Sequence, residues 1–175
     1  MKRYAEILCR TYAEKIANPM STVVIRPSNV YGPYDKFDFA VSHVTAALVR
    51  RVAERQSPLQ VWGTGEDIRD LIYVDAFVEG TLAAVSTDLP FLAINICAGR
   101  GYAVREVLET LLEVDTFGDA RVTFDATKPS TVPVRLMDNG LARSLLGFEA
   151  KLSLADGLRR TLGWYRDDPA SPARR

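Results

Sequence analysis

Lys2 and His43 are two residues of this chain whose types suit proton chemistry. An ammonium group beside a tyrosine favours the ionised phenol, and it can also hydrogen-bond the hydroxyls of a ribose. Imidazole exchanges protons near neutral pH, so His43, the only histidine, could act as a general acid. Taken singly, each has a simpler explanation: Lys2 as a solvated lysine, and His43 as a surface or capping residue.

Three arginines and a tryptophan form a plausible set for binding a sugar nucleotide: Arg51, Trp62, Arg69 and Arg135. A guanidinium group can bind a diphosphate through two parallel hydrogen bonds, which an ammonium group cannot do. An aromatic face suits a flat base or a sugar ring. By composition alone the simpler reading is Arg51 on a solvated helix face, Trp62 in the core and the other two on the surface.

A turn-rich segment, residues 27–33, follows a short β-branched run at residues 22–25. A run without polar alternation is typical of a strand that is buried on both faces of a parallel sheet. Ligands of open α/β sheets bind beyond the carboxyl ends of the strands. The Pro-Ser-Asn-Val-Tyr-Gly-Pro sequence there can present backbone groups and an amide to a ligand, although such residues also form plain turns.

Helical and strand periodicities alternate along the chain and predict an α/β fold. Asp75 and Asp138 are expected helix N-caps, and Ser153 with Asp156 resembles a capping box. The first predicted element is a helix, and no glycine-rich dinucleotide loop lies near the N-terminus. The predicted helices cover residues 3–17, 41–52, 75–85, 104–112, 138–147 and 153–165, and the predicted strands cover residues 22–25, 59–62, 69–74, 93–96 and 121–124.

Composition argues against several other classes of protein. Lys+Arg and Asp+Glu both number 22 among 175 residues, so no basic excess indicates nucleic acid. No apolar run approaches the roughly 20 residues of a membrane helix. Cys9 and Cys97 lack metal-ligand spacing, so we expect no metal site and instead reduced, buried thiols in a cytoplasmic protein.

Residues 2–12 and 26–33 together resemble the second half of an extended short-chain dehydrogenase/reductase. The resemblance is to the NAD(P)-dependent sugar-nucleotide epimerase/dehydratase family, and it extends from Lys2 to about Asp167. In that family a Tyr-x-x-x-Lys pair does the chemistry, and the lysine begins a long helix. The resemblance implies that Lys2 is this lysine and that the tyrosine lies just upstream of Met1. We therefore expect a truncated chain that is inactive alone.

Residues 31–51 resemble the GDP-L-fucose synthase branch of the family. That branch epimerises a 4-keto-6-deoxy GDP-sugar and then reduces it with NADPH. The resemblance implies that His43 is the acid in epimerisation. It also implies cofactor contacts for Lys2, Pro27, Ser28, Asn29, Val30 and His43, and substrate contacts for Arg51, Trp62, Arg69 and Arg135, the last standing where the branch has lysine.

Two departures leave the exact activity open. Ser130 stands where the branch has an aspartate, and Val134 stands where a basic residue is usual. Another NDP-sugar epimerase, reductase or dehydratase therefore stays possible. So does a catalytically incomplete short protein that binds sugar nucleotides or pairs with a partner chain.

The resemblance also implies a domain arrangement and partners. Residues 1–58 would be the remainder of a dinucleotide-binding domain, and residues 59–168 mainly a substrate-binding domain with one further sheet strand near 93–97. Residues 169–175 would be a disordered tail. The cofactor would be NADP or NAD, the ligand a nucleotide-diphosphate sugar, and the protein a homodimer through its first two helices, with no nucleic-acid or membrane partner.

Overall fold

The computed structural model describes residues 1–128, 132–168 and 171. Helices and strands alternate through these residues, which confirms the predicted α/β fold. In chain order the elements are α1 Lys2–Glu14, β1 Thr22–Pro27, β2 Asn29–Tyr31, α2 Val44–Ala53, β3 Leu59–Trp62, β4 Ile68–Tyr73, α3 Val74–Val85, β5 Phe91–Ile96, β6 Gly101–Ala103, α4 Val104–Val114, β7 Val122–Asp125, β8 Val134–Arg135, α5 Gly140–Leu146 and α6 Leu154–Asp167.

The strands of the described residues form three small sheets. β1 pairs in parallel with β5, and β3 pairs in parallel with β7. β4 is the centre of a mixed sheet, because it pairs in parallel with β2, antiparallel with β6 and in parallel with β8. β2, β6 and β8 were not predicted from the sequence, since each is too short to show a strand period.

β1 is half-buried along most of its length, not buried on both faces as its β-branched sequence predicts. The reason lies in its pairing. β5 covers one side of β1, and within the described ranges no strand pairs with its other side. A parallel strand reaches full burial only between neighbours and under helices on both faces.

Within the part of the chain that the structure describes, two hydrophobic cores support the sheets. The larger one packs α2, α4 and α6 against β3 and β4, and its most buried side chains include Val52, Leu59, Leu111 and Leu158. The smaller one packs α3 and α5 against β5. The segments that carry the predicted site residues therefore extend from a packed framework.

The helix caps differ in part from the predicted ones. β4 continues directly into α3, so Tyr73 is the N-cap and Asp75 lies in the first helical turn. Asn139 is the N-cap of α5, although the Asp138 carboxylate accepts a hydrogen bond of 2.7 Å from the Gly140 amide. Ser153 is confirmed as the α6 cap.

The Ser153 hydroxyl accepts a hydrogen bond of 3.1 Å from the backbone amide of Asp156. α1 ends at Glu14, which is earlier than the predicted residue 17. Of the predicted tail, residues 169, 170 and 172–175 lie outside the described part of the chain. None of the described helices combines the length and apolarity that a membrane crossing requires.

Candidate functional site

A cavity of about 250 Å³ brings most of the predicted site residues together. It lies where the start of β2, the N-cap of α2 and the strands β3, β4 and β8 meet. Its lining includes Asn29, Val30, His43, Trp62, Asp67, Arg69 and Arg135. Cofactor-binding and substrate-binding residues that were predicted separately therefore share one concave surface.

Arg69 and Arg135 stand opposite each other in register on the parallel strands β4 and β8. Like charges directly opposite each other in a sheet are unfavourable unless something compensates them. Arg69 is 13% exposed, and Asp67 accepts a hydrogen bond of 3.0 Å from its guanidinium group. Arg135 is exposed and makes no ion pair within residues 1–128 and 132–168. The pair therefore leaves excess positive charge at the cavity.

The backbone also fixes the guanidinium of Arg69. Its Nη1 donates hydrogen bonds of 2.8 Å to the carbonyl oxygens of Ile68 and Val132. With Asp67 on Nη2, three contacts restrict the side chain before any ligand arrives. A cation that is already ordered loses less entropy when it binds an anion.

Trp62 is 61% exposed at the end of β3, which excludes the alternative that it belongs to the core. The strand alternates buried and exposed residues, with Leu59 and Val61 inward and Gln60 and Trp62 outward. Trp62 also lines an adjoining cavity of about 230 Å³ together with Arg51. Because Trp62 borders both cavities, it provides an aromatic surface between them.

Arg51 is held beside this surface. Its Nη1 donates a hydrogen bond of 2.9 Å to Gln56, and its guanidinium lies 4.5 Å from the centre of the Phe39 ring. The Phe39 ring also has the Arg50 guanidinium 4.2 Å from its centre. The two cation–π contacts attach the loop before α2, which carries His43, to the helix that follows it.

His43 is the N-cap of α2 in an extended conformation, and its side chain makes no capping hydrogen bond. The capping explanation therefore does not account for this exposed imidazole, which lines the cavity. Asp35 lies in the loop before it. Burial raises the pKa of the Asp35 carboxyl, while the Lys36 amide and the charge of His43 oppose this rise. Asp35 is therefore within electrostatic reach of His43.

Ser28 lies just beyond the carboxyl end of β1, and Asn29 is the first residue of β2. The Ser28 hydroxyl is buried, and no hydrogen-bond partner for it occurs in the described part of the chain. Asn29 donates a hydrogen bond of 3.0 Å from its side-chain amide to the Asp70 carbonyl, so its orientation is fixed. The orphan hydroxyl marks a polar position that a bound molecule could satisfy.

Four predicted residues lie outside this lining: Lys2, Pro27, Ser28 and Arg51. Pro27 is exposed at the end of β1, next to Ser28, and Lys2 is exposed at the first position of α1. Neither borders the cavity. Arg51 borders only the adjoining one. Ser130 lies outside the described residues, and Val134 is exposed on β8.

Asp67 was not predicted, although it lines the cavity. It precedes Arg69 by two residues, and side chains at that spacing share one face of a strand, which was the available signal. Both cysteines are free, with Cys97 buried and Cys9 half-buried. Burial raises the pKa of the Cys97 thiol to about 11, so it has the properties of an inert core residue.

Parallel strand pairs with covering helices define an α/β protein of the Rossmann-like class. The chain belongs to the NAD dependent epimerase/dehydratase family, whose model matches residues 1–97. This match confirms the predicted family.

Comparisons with individual proteins agree. GDP-L-fucose synthase 1 of Arabidopsis thaliana is 34% identical over 161 residues, which cover 90% of this chain and 49% of that protein. The structure of UDP-glucose 4-epimerase from Thermotoga maritima with UDP-glucose superimposes with a TM-score of 0.77 at 27% identity, covering 94% of this chain and 50% of that one.

A second solved structure resembles this chain to a similar degree. UDP-glucuronic acid 4-epimerase from Bacillus cereus, in complex with UDP-glucuronic acid and NAD, gives a TM-score of 0.76 at 26% identity. The match covers 91% of this chain and 49% of that chain. The chain thus spans about half the length of the relatives it matches.

Proposed function

We propose that the chain supplies the sugar-nucleotide site and part of the nicotinamide pocket of an NAD(P)-dependent sugar-nucleotide epimerase/reductase. The in-register pair Arg69 and Arg135 carries the proposal, because both line one cavity with His43 and Trp62. An anionic ligand would relieve the repulsion between these guanidinium groups. The relatives and solved structures named above, which act on or hold nucleotide sugars, support the same assignment.

Each residue has a role that its environment supports. Arg69, Arg135 and Arg51 would bind the diphosphate, since guanidinium groups can donate two parallel hydrogen bonds to it. Trp62 would offer its exposed face to the base or the sugar. His43 would hand a proton to a carbon of the sugar during epimerisation, because its imidazole faces the cavity free of any capping bond.

The residues present fit a nicotinamide cofactor, NADP or NAD. The buried hydroxyl of Ser28, which has no partner among the described residues, would gain a hydrogen bond from the cofactor, and the next two residues, Asn29 and Val30, line the cavity. Lys2 would hold ribose hydroxyls, and Pro27 would shape the pocket wall. When bound, the cofactor supplies or accepts a hydride.

We also propose that this chain alone is inactive and that residues 1–58 and 59–168 divide as the family implies. Among the described lining residues of the cavity there is no tyrosine to exchange the proton of the substrate hydroxyl. A reducing, cytoplasmic location fits the two free thiols.

A homodimer through α1 and α2 forms a further part of the proposal. One face of α1 leaves Tyr4, Ile7, Leu8 and Tyr12 exposed, as expected for an interface helix. Light scattering should give a dimer mass, and Ile7→Lys should reduce it to that of a monomer. A monomer mass for the unaltered chain would contradict this part.

A second candidate is a catalytically incomplete protein that pairs with a partner chain. The half-buried strand β1, with one side unpaired among the described strands, favours it. An open strand edge can accept a strand from another molecule. Such a protein would bind a sugar nucleotide at the same site but would not catalyse hydride transfer.

The test is titration of the purified chain with UDP, GDP and dTDP by calorimetry. We expect at least one of these nucleotides to bind. Arg135→Gln and Trp62→Ala should each raise its dissociation constant about tenfold, because the first removes a charged hydrogen bond and the second removes a stacking surface. Both side chains are exposed, so neither change threatens folding. Arg121→Gln, also at an exposed arginine, serves as the control.

Two results would contradict the proposal. One is the absence of nucleoside diphosphate binding, and the other is equal binding by Arg135→Gln and the control. Titration with NADPH is a further test of both candidate functions. The lone chain should bind NADPH poorly, and micromolar affinity would contradict both candidates.

A further inference from the structure

A separate cavity of about 420 Å³ shares no lining residue with the sugar-nucleotide cavity. It lies between the loop after β5, the end of β4, α5 and the segment that leads into α6. Its lining includes Arg100, Arg143 and Lys151, together with Tyr73, Tyr102 and Ser153. We call it the cationic cavity. Its volume is within the range that holds small organic ligands.

The charge of the cationic cavity is unbalanced. Glu149 lies 4.0 Å from Arg143 at an exposed position, so this ion pair is weak. Arg100 and Lys151 make no ion pair within residues 1–128 and 132–168, and the Arg100 guanidinium lies 4.8 Å from the centre of the Tyr102 ring. Among the described lining residues, three cations (Arg100, Arg143 and Lys151) therefore outnumber one carboxylate, that of Glu149.

The loop that presents Arg100 is fixed from two sides. The carboxylate of Asp70, which is fully buried, accepts hydrogen bonds of 3.1 and 3.0 Å from the amides of Ala98 and Gly99. From the opposite side Asn139 donates a hydrogen bond of 3.2 Å to the Ala98 carbonyl. Gly99 has φ +70, a conformation that favours glycine. The backbone under Arg100 is thus ordered in advance.

The inner wall is aromatic and polar. The rings of Tyr31 and Tyr73 meet edge to face with their centres 5.6 Å apart, and both side chains are buried. Burial raises the pKa of Tyr73, so its hydroxyl stays a neutral donor at physiological pH. Tyr102 and the side-chain amide of Asn139 complete the polar part of this wall. Aromatic faces with hydroxyl and amide groups suit a sugar ring better than an apolar ligand.

We propose that the cationic cavity binds a small sugar phosphate. Arg100 and Lys151 would hold the phosphate monoester, and the tyrosines and Asn139 would bind the sugar. Guanidinium and ammonium groups are the usual protein partners of phosphate oxygens. This site is independent of the proposed nucleotide-sugar site.

The experiment titrates the whole chain with glucose 1-phosphate, glucose, inorganic phosphate and UMP. Glucose 1-phosphate should bind at least tenfold more tightly than glucose or inorganic phosphate, because each of these lacks half of the contacts. Arg100→Gln and Lys151→Gln should each weaken it about fivefold or more. Both side chains are exposed, which keeps the fold intact, and Arg121→Gln again serves as the matched control.

The two sites can be told apart in the same set of variants. Arg100→Gln should leave nucleoside diphosphate binding unchanged, and Arg135→Gln should leave glucose 1-phosphate binding unchanged. No binding of glucose 1-phosphate, or equal binding by the Arg100→Gln/Lys151→Gln double variant, would overturn the proposal. Equal or tighter binding of inorganic phosphate or UMP would overturn the sugar phosphate assignment.

Discussion

The carboxylate of Glu6 accepts two hydrogen bonds from the guanidinium of Arg26, 2.8 Å from Nε and 2.7 Å from Nη2. This two-point ion pair joins α1 to the end of β1. It thereby connects the helix that begins at Lys2 to the segment that begins at Pro27. Hydrogen bonding from Arg26 lowers the pKa of Glu6 to about 2.

Glu6→Gln should therefore change how stability depends on pH. Because the folded pKa of Glu6 is lowered, the pair stabilises fully above the ordinary glutamate pKa and loses its effect as pH falls from about 4.5 to about 2. The variant should melt at a lower temperature at pH 7 and approach the unaltered chain at pH 2. Thermal melts followed by circular dichroism measure this.

Glu14→Gln is the control on the same helix, since its pair with Arg10 is 3.8 Å long and exposed. It should lower the melting temperature little at any pH. A difference in melting temperature between Glu6→Gln and the unaltered chain that stayed constant from pH 7 to pH 2 would show that the ion pair between Glu6 and Arg26 does not stabilise the fold.

Two glycines of α6 should respond oppositely to alanine. A Cβ at Gly157 would lie 2.1 Å from the hydroxyl oxygen of Tyr31, whereas one at Gly163 would meet no atom within 4 Å. Gly157→Ala should cost about 1–3 kcal/mol through overpacking. Gly163→Ala should stabilise by about 0.5–1 kcal/mol, because alanine favours a helix. Urea unfolding measures the free energy of unfolding of both variants. Equal changes in the two variants would contradict the close contact between Gly157 and Tyr31.

Asp115 connects α4 to α6 and to the loop after α2. Its side chain is 3% exposed, it lies 3.2 Å from the Arg55 Nη2, and it also pairs with Arg166. Asp115→Asn should lower the free energy of unfolding by about 1–2 kcal/mol, less than a fully buried pair would lose because both arginines are partly exposed. Asp119→Asn, at an exposed position, should change it by less than about 0.5 kcal/mol.

His43→Gln tests the proposed chemistry in a protein that contains the complementary half. It should slow epimerisation about a hundredfold or more while largely sparing reduction of a ready-made 4-keto sugar, because only epimerisation needs the acid. Lys2→Ala should slow both reactions. Product analysis by NMR and NADPH oxidation separate the two steps. Unchanged rates in both would remove His43 from the mechanism.

Local patterns allowed much of the fold to be predicted. The helices α4 and α6 have apolar residues at helical spacing over several turns, and Ser153 caps α6 through a residue three positions away. β5 begins with four consecutive apolar residues, Phe91 to Ile94. Such features depend on neighbours in sequence, so a single chain reveals them.

Pairings between distant segments could not be predicted in this way. β8 has two residues, and it stands beside β4 only because the tertiary fold places it there. Arg69 and Arg135 were each predicted to bind substrate, yet nothing in the sequence indicates that they are in register. The exposure of Trp62 was likewise ambiguous, since its strand alternation fixes two faces without telling which one is buried.

β4 becomes α3 without an intervening loop, at Tyr73 and Val74. Arg69 on this strand borders the sugar-nucleotide cavity, and Tyr73 at its end borders the cationic cavity. No loop residue separates the strand from the helix. The two cavities therefore border a single strand, one at its second residue and the other at its last.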